Sequence, residues 1–143
     1  MPAQAHFVHP STRPLRVLLA DDNHDCTDSL AQLLSLAGCE VQVCYNGGAV
    51  LPLAKQFRPD VCVLDVRMPV LDGWKVAPQL RAWAGERLLL LAALTGLGGQ
   101  QAEENSLYAG FDHHFVKPGD PQELYGEFAN FIKRMESAVL ATA

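Results

Sequence analysis

A fivefold alternation between short apolar runs and longer segments of helical periodicity is the feature that most constrains the fold. The apolar runs lie at residues 15–20, 41–45, 61–64, 88–94 and 114–116. Between and after the runs lie segments typical of helices, most of them with apolar residues three or four positions apart, as on one face of a helix, and one of them, 100–109, short and polar. Such alternation is typical of parallel strands joined by crossover helices. The sequence therefore predicts an α/β domain, a doubly wound five-stranded parallel sheet with helices on both faces.

The helical segments contain two prolines. Helices are expected at residues 30–37, 49–57, 73–83, 100–109 and 124–135. A proline inside a helix removes a hydrogen bond and clashes with the preceding turn. We therefore expect Pro52 to disturb the second helix, and Pro78 to kink the third helix or displace its start. Asp72 is expected to cap the third helix.

Length and composition indicate a single domain with irregular ends. Residues 1–14 contain three prolines and predict an irregular arm, residues 15–135 the domain, and residues 136–143 a tail or the end of the last helix. His6 and His9 could bind a metal, but we expect them to lie in a disordered arm.

Several functional classes are disfavoured by the composition. The net charge of −5 leaves no overall basic character for nucleic-acid binding. The longest apolar run, 88–94, is about a third of the roughly 20 residues that a membrane span needs. The four cysteines, none in C-x-x-C spacing, are expected to be free thiols. We therefore expect a cytoplasmic protein without membrane or nucleic-acid contacts.

Polar residues follow the predicted strands at their carboxyl ends. They are Asp21 and Asp22 after the first strand, Asp65 after the third, Thr95 after the fourth and Lys117 after the fifth. Ligands of open α/β sheets bind beyond this edge, where the strand order reverses. If the first and third strands are neighbours, three carboxylates converge in one crevice.

Three adjacent carboxylates repel one another, so either one keeps a proton or a cation neutralises them. Mg²⁺ prefers such oxygen ligands. A hydroxyl and an ammonium on the next strands would suit the oxygens of a phosphoryl group beside the metal. No nucleophile other than Asp65 is obviously central among these residues, and a carboxylate can attack phosphorus to give an acyl phosphate.

Four motifs resemble the receiver domain of bacterial response regulators. They are D-D-N at 21–23, D-x-x-M-P-x-x-D-G at 65–73, L-T-G at 94–96 and F-V-K-P at 115–118. Each occurs in order after a predicted strand, and the resemblance covers roughly residues 15–135. It implies a flavodoxin-like sheet with strand order 2-1-3-4-5 and a role in a two-component phosphorelay.

The resemblance also implies a role for each site residue. Asp65 would accept a phosphoryl group from a histidine kinase or a histidine phosphotransfer protein. Asp22, Asp65 and the backbone carbonyl of Arg67 would bind Mg²⁺ or Mn²⁺, with Asp21 assisting through water. Thr95 and Lys117 would contact the phosphoryl oxygens. The protein would catalyse only its own phosphorylation and a slow loss of phosphate, with Arg67 and Leu97 controlling the access of water.

Two residues depart from the family pattern. Gly96 replaces the common alanine after the threonine, and His114 stands where the family usually has tyrosine or phenylalanine. In the family, Thr95 and the aromatic residue move together and alter the surface of helix 4, strand 5 and helix 5, which partners recognise. His114 either takes over this switch, with a dependence on its protonation, or remains a surface contact.

Four interpretations of the whole chain stay open. About eight residues follow the last predicted helix, which favours a single-domain regulator or shuttle, as a monomer or weak homodimer. Residues 110–118 also resemble receivers attached to hybrid histidine kinases. A Mg²⁺-dependent phosphohydrolase and a phosphorylation-independent interaction module are the less favoured alternatives.

Overall fold

The computed structural model describes residues 6–142 and contains one five-stranded parallel sheet in the order β2-β1-β3-β4-β5. The strands are β1 Arg16–Ala20, β2 Glu40–Cys44, β3 Val61–Leu64, β4 Leu90–Thr95 and β5 His113–Val116. The helices are α1 His24–Leu36, α2 Val50–Phe57, α3 Gly73–Ala84, α4 Gln100–Ala109 and α5 Pro121–Thr142. The predicted fold class and the strand order implied by the resemblance are both confirmed.

The central strands are apolar because both faces of the sheet are covered by helices. Successive side chains of a strand point to opposite faces, so Leu18 and Cys62 belong to the core beneath α2 and α3. Val17 and Val61 belong to the second core, which contains residues of α1 and α5. This double covering fixes the strand ends and holds the loops beyond them in place.

Both prolines lie in helices, but neither displaces a helix start. Pro52 is in the first turn of α2, where its missing N–H would have had no partner within the helix. Of the two expectations for Pro78, the displaced start is wrong, because α3 begins at Gly73 with Pro78 inside it, and the kink stays a prediction. The Asp72 side chain accepts a hydrogen bond from Lys75 N at 3.0 Å, which confirms the predicted cap.

The N-terminal arm has no helix, but residues 6–14 are packed onto the domain. Phe7 is 5% exposed, and its ring meets Phe128 edge-on at a centroid distance of 5.6 Å. Arg13 pairs with Asp60 at 2.8 Å. The expectation of a disordered arm is therefore wrong for the described residues, and the packed unit begins at least at Phe7. Residues 1–5 lie outside the described part of the chain.

The C-terminal residues 136–142 continue α5, so of the two expectations for 136–143 the helical one is confirmed as far as Thr142. Ala143 lies outside the described residues. Between residues 6 and 142, no helix combines the length and apolarity required to cross a membrane. All four cysteines are free thiols, as predicted. Cys44 and Cys62 are on β2 and β3, with β1 between them.

Candidate functional site

Three carboxylates meet at the carboxyl edge of the sheet and form what we call the acid cluster: Asp21, Asp22 and Asp65. Oxygen atoms from the three side chains lie within 4.8 Å of one another. This convergence was predicted, and it follows from the pairing of β1 with β3, which places Ala20 beside Leu64. Asp21 and Asp65 are 7% and 8% exposed, whereas Asp22 is open to solvent.

Backbone N–H groups hold the two buried acids in position. Asp21 Oδ1 accepts a hydrogen bond from Asn23 N at 3.0 Å, and Asp65 Oδ1 accepts one from Arg67 N at 3.2 Å. The loop after Asp65 folds back closely, since a Cβ at Gly73 would lie 2.6 Å from the Asp65 carbonyl oxygen. The D-G pair of the motif is therefore explained by packing, with Asp72 as the cap and Gly73 at the close approach.

Lys117 joins the acid cluster from β5. Its ammonium donates a hydrogen bond to Asp65 Oδ2 at 3.0 Å and another to Asp21 Oδ2. Burial disfavours the charged ammonium, but the hydrogen bonds and the negative charges of Asp21 and Asp65 together outweigh burial and raise the pKa of Lys117. Burial also raises the pKa of Asp21, against the lowering effects of Lys117 and the Asn23 N–H. Lys117 is thus held as a cation between two acids.

Thr95 lies at the end of β4 and is 1% exposed. Its Oγ1 accepts a hydrogen bond from Leu97 N at 3.3 Å, and its carbonyl oxygen accepts one from Lys117 N at 2.8 Å. The hydroxyl is therefore tied to the loop after β4. A Cβ at Gly96 would meet no atom within 4 Å, so the departure from the family's alanine has no steric cause here.

The acid cluster fits a divalent cation held by oxygen. Lys117 occupies the Oδ2 atoms of Asp21 and Asp65, while the exposed Asp22 carboxylate remains open to solvent. Hard oxygen donors of this kind suit Mg²⁺ or Mn²⁺. The predicted contribution of the Arg67 carbonyl stays a prediction. His24 is outside the cluster, exposed, and stacked on Tyr45 with ring centroids 3.7 Å apart.

His114 is half-buried and hydrogen-bonded at both ring nitrogens. Nε2 lies 2.7 Å from the Leu97 carbonyl oxygen, and Nδ1 lies 2.7 Å from Ser106 Oγ. Ser106 Oγ also accepts a hydrogen bond from Trp74 Nε1 at 2.9 Å. We call these four residues the His114 network. It joins α3, α4 and β5 to the loop that follows Thr95.

The hydrogen-bond partners of the His114 ring determine which of its nitrogens carries a hydrogen. A carbonyl oxygen only accepts, so His114 Nε2 carries a hydrogen and donates it to Leu97. In the neutral ring Nδ1 then accepts from the Ser106 hydroxyl. The histidine is therefore no solvated surface contact in this structure. Sequence reasoning missed Ser106 and Trp74, because a serine in the polar segment 100–109 carries no signal of burial.

A cleft of about 600 Å³ opens beside the acid cluster, between α1 and the loop before α5. Its floor includes Asp21, Asp65 and Lys117, and its wall includes Leu30 and Leu33. The acid cluster is thus reachable from outside through a partly apolar opening.

Comparisons with known proteins agree with this geometry. The family model described as the response regulator receiver domain matches residues 17–129. The transcriptional regulatory protein PrrA of Mycobacterium tuberculosis is 36% identical over 129 residues, which are 90% of this chain and 54% of that protein. The response regulator MprA of Mycolicibacterium vanbaalenii is 36% identical over 121 residues, 85% of this chain and 52% of that protein. The chain spans about half the length of these curated relatives.

Solved structures show the same fold. A CheY-like response regulator receiver domain protein from Methanospirillum hungatei has a TM-score of 0.79 at 22% identity, covering 87% of this chain and 98% of that one. The chemotaxis response regulator CheY4 of Vibrio cholerae has a TM-score of 0.75 at 25% identity, covering 82% and 98%.

Proposed function

The chain belongs to the response regulator receiver domain family, and from that membership we propose that Asp65 accepts a phosphoryl group in a two-component phosphorelay. The donor is the phosphohistidine of a histidine kinase or of a histidine phosphotransfer protein. One observation carries the proposal: Asp65 is nearly buried, lies among two further acids, and is bonded by Lys117 at 3.0 Å. We propose a cytoplasmic location, where such a donor would meet it.

The proposed reaction is a transfer between two side chains. An oxygen of Asp65 forms a bond to phosphorus, the phosphorus–nitrogen bond of the phosphohistidine breaks, and the imidazole leaves with the electron pair. A bound Mg²⁺ supplies positive charge that offsets the phosphoryl oxygens. Lys117 adds a second positive charge beside Asp65, and Thr95 supplies a hydroxyl donor. The backbone N–H of Arg67 holds the other Asp65 oxygen in place.

The same contacts support a route from the phosphosite to the surface. Leu97 N donates to Thr95 Oγ1, and the Leu97 carbonyl accepts from His114. A Thr95 hydroxyl that turns toward a phosphoryl oxygen therefore pulls on the peptide held by His114. Because the ring is bonded to Ser106, the movement reaches α4.

The surface above this route offers a docking face for a downstream protein. Leu107 and Tyr108 on α4 are 50% and 95% exposed, and Val116 on β5 is 46% exposed. Exposed apolar side chains are common at interaction sites when they form one patch, and α4 and β5 are the two elements that the proposed route reaches. The relatives are named as regulators, and the chain matches only about half of their length, so we extend to this chain only phosphoryl acceptance and signalling to a partner.

Phosphorylation by a small donor tests the proposal. Incubation with acetyl phosphate and Mg²⁺ should add one phosphoryl group, detected by intact mass. Asp65→Asn should abolish the addition, and chelation of the metal should prevent it. Glu86→Gln is the matched control, since Glu86 is exposed after α3, lies outside the acid cluster and its cleft, and should leave labelling unchanged.

Two results would contradict the proposal. Labelling that persists in Asp65→Asn would place the phosphoryl group elsewhere. Release of phosphate over many turnovers that persists in Asp65→Asn would favour the phosphohydrolase alternative instead.

A further inference from the structure

A second cleft lies at the opposite edge of the sheet, before the amino ends of the strands. It has a volume of about 350 Å³. Four of the chain's seven arginines line it: Arg13, Arg16, Arg58 and Arg87. We call it the arginine cleft. The net charge of −5 conceals this concentration, because the arginines come from three separate stretches of the sequence that converge only in the folded chain.

Two of the four arginines are paired and two are not. Arg13 bonds Asp60 at 2.8 Å, and Arg16 lies 3.5 Å from Glu40. Among residues 6–142, neither Arg58 nor Arg87 has a carboxylate within ion-pair distance. The Arg87 guanidinium lies over the Trp83 ring at 4.5 Å from its centroid. The cleft therefore carries more positive than negative charge.

Neighbouring titratable groups respond to this excess. Burial lowers the pKa of Arg87, and the charge of Arg58 lowers it further, against the effect of Asp60. Burial likewise lowers the pKa of His9, and Asp60 opposes the further lowering by Arg13 and Arg16. An anion between the unpaired guanidinium groups would relieve their mutual repulsion.

Apart from His9 and Asp60, whose carboxylate is already bonded by Arg13, the rest of the wall is apolar. Leu88 and Val139 are 39% and 56% exposed, and Met135 and Ala138 lie beside Val139 on the last turns of α5. A volume of about 350 Å³ is at the lower end of the range for small-molecule sites. Guanidinium groups bind carboxylate and phosphate with two parallel hydrogen bonds. The positive charge, the apolar wall and the volume of the cleft together suit a small ligand with one anionic group and an apolar body.

We propose that the arginine cleft binds a small organic anion, a phosphate or carboxylate with an apolar body, at a site separate from the acid cluster. Arg58 and Arg87 hold the anionic group. Leu88 and Val139 contact the apolar part. Arg13 and Arg16, already paired with acids, hold the arm and β1 in place around the cleft.

Titration with phenyl phosphate and with benzoate, followed by NMR of the arginine Nε–H and Trp83 indole signals, tests the proposal. Saturable shifts are expected for at least one of the two, and the stronger one identifies the anionic class. Benzyl alcohol and inorganic phosphate should bind at least tenfold more weakly, because each lacks one half of the ligand. The titrations omit divalent metal.

Two substitutions remove the unpaired charges without touching the core. Arg58→Asn suits the left-handed backbone at this position, where φ is 56°, and Arg87→Gln keeps a similar size. Each should weaken binding at least tenfold. Arg134→Gln is the matched control, since Arg134 is on α5 outside the cleft and stacks on Phe131. It should bind as the unaltered protein does.

Lys117→Gln distinguishes the two sites of positive charge. If this change abolishes binding while Arg58→Asn does not, the anion binds at the acid cluster and the proposal is wrong. The proposal is also wrong if neither aromatic anion shifts any arginine signal, or if benzyl alcohol or inorganic phosphate binds as well as they do. Phosphorylation of Asp65 should be unchanged in both arginine variants, so failure here leaves the proposed function standing.

Discussion

Ser106 holds two side chains from different elements, although it has only one polar atom on its side chain. Ser106→Ala leaves the Trp74 N–H and His114 Nδ1 without their partner. We expect the free energy of unfolding to fall by about 1–3 kcal/mol, the cost of a buried polar group left unpaired. Urea denaturation measures the change.

Ser35→Ala is the control for Ser106→Ala, because Ser35 is an exposed serine on a helix, α1. Its free energy of unfolding should change by no more than about 0.5 kcal/mol. Equal effects of the two substitutions would contradict the structural importance of the His114 network.

The protonation of His9 should lower the free energy of unfolding in mild acid. Burial and the charges of Arg13 and Arg16 lower its pKa below 6.5, against the effect of Asp60. Its Nδ1 also accepts a hydrogen bond from Ser11 N at 3.0 Å, which requires the unprotonated nitrogen. The unfolded chain therefore takes up the proton more readily. The stabilising contribution is complete above about pH 6.5 and is lost as the pH falls through the lower, folded-state pKa.

The free energy of unfolding of the unaltered protein and of His9→Gln, measured at about pH 7.5 and about pH 5.5, tests this direction of the pH dependence. The two pH values lie on either side of the ordinary pKa of histidine. The difference between the two proteins removes the contributions of the other titrating groups. If the free energy of unfolding falls at the lower pH by as much in His9→Gln as in the unaltered protein, His9 is not the cause of the acid sensitivity.

At the scale of the element, α3 carries a proline in its interior on an exposed face. Pro78→Ala restores a helical N–H, although the unfolded chain also gains freedom when proline is removed. The cost of a proline inside a helix is about 3 kcal/mol relative to alanine, and it exceeds the stabilisation of up to about 1 kcal/mol that proline gives by restricting the unfolded chain. We expect a net gain of about 2–3 kcal/mol in unfolding free energy. The neighbouring exposed Gln79→Ala should be nearly neutral, and a destabilised Pro78→Ala would show that α3 has adapted its path to the proline.

The N-terminal arm contributes one buried side chain, Phe7, to the core. Phe7→Ala should lower the free energy of unfolding by about 3–5 kcal/mol, as expected for a buried phenylalanine. Val8, its neighbour, is 48% exposed, so Val8→Ala should cost far less. Similar losses for both would mean that the arm does not need Phe7 to pack.

The sequence predicted those elements that repeat a pattern and missed contacts that depend on a single residue. The apolar runs predicted the strands of the sheet. The polar residues at the ends of these runs predicted the members of the candidate site, which are Asp21, Asp22, Asp65, Thr95 and Lys117. Phe7 has no neighbours of matching period, so nothing marked it as buried. Arg58 and Arg87 are 29 positions apart and meet only through tertiary structure, and the bond between Trp74 and Ser106 has the same origin.

At the scale of the whole molecule, the cysteines report on global unfolding. Cys26 is exposed, whereas Cys39, Cys44 and Cys62 are buried. Burial raises the pKa of Cys39 to about 12 and that of Cys44 to about 11, so neither forms the reactive thiolate near neutral pH. Titration with a thiol reagent should find one fast thiol in the native protein and four after unfolding without reductant. Fewer than four would reveal a disulfide, and a Cys44–Cys62 bridge would contradict the strand order.

The contacts made by Lys117 also set when during synthesis the site can form. Along the chain this lysine is 52 residues from Asp65 and 96 from Asp21. Ribosomes add about 5–20 residues per second, so Asp65 is made roughly 3 to 10 s before Lys117. During that interval a growing chain has the carboxylates but lacks the ammonium between them. If phosphoryl acceptance depends on Lys117, as the proposed function requires, it cannot begin on such a chain until β5 has left the ribosome.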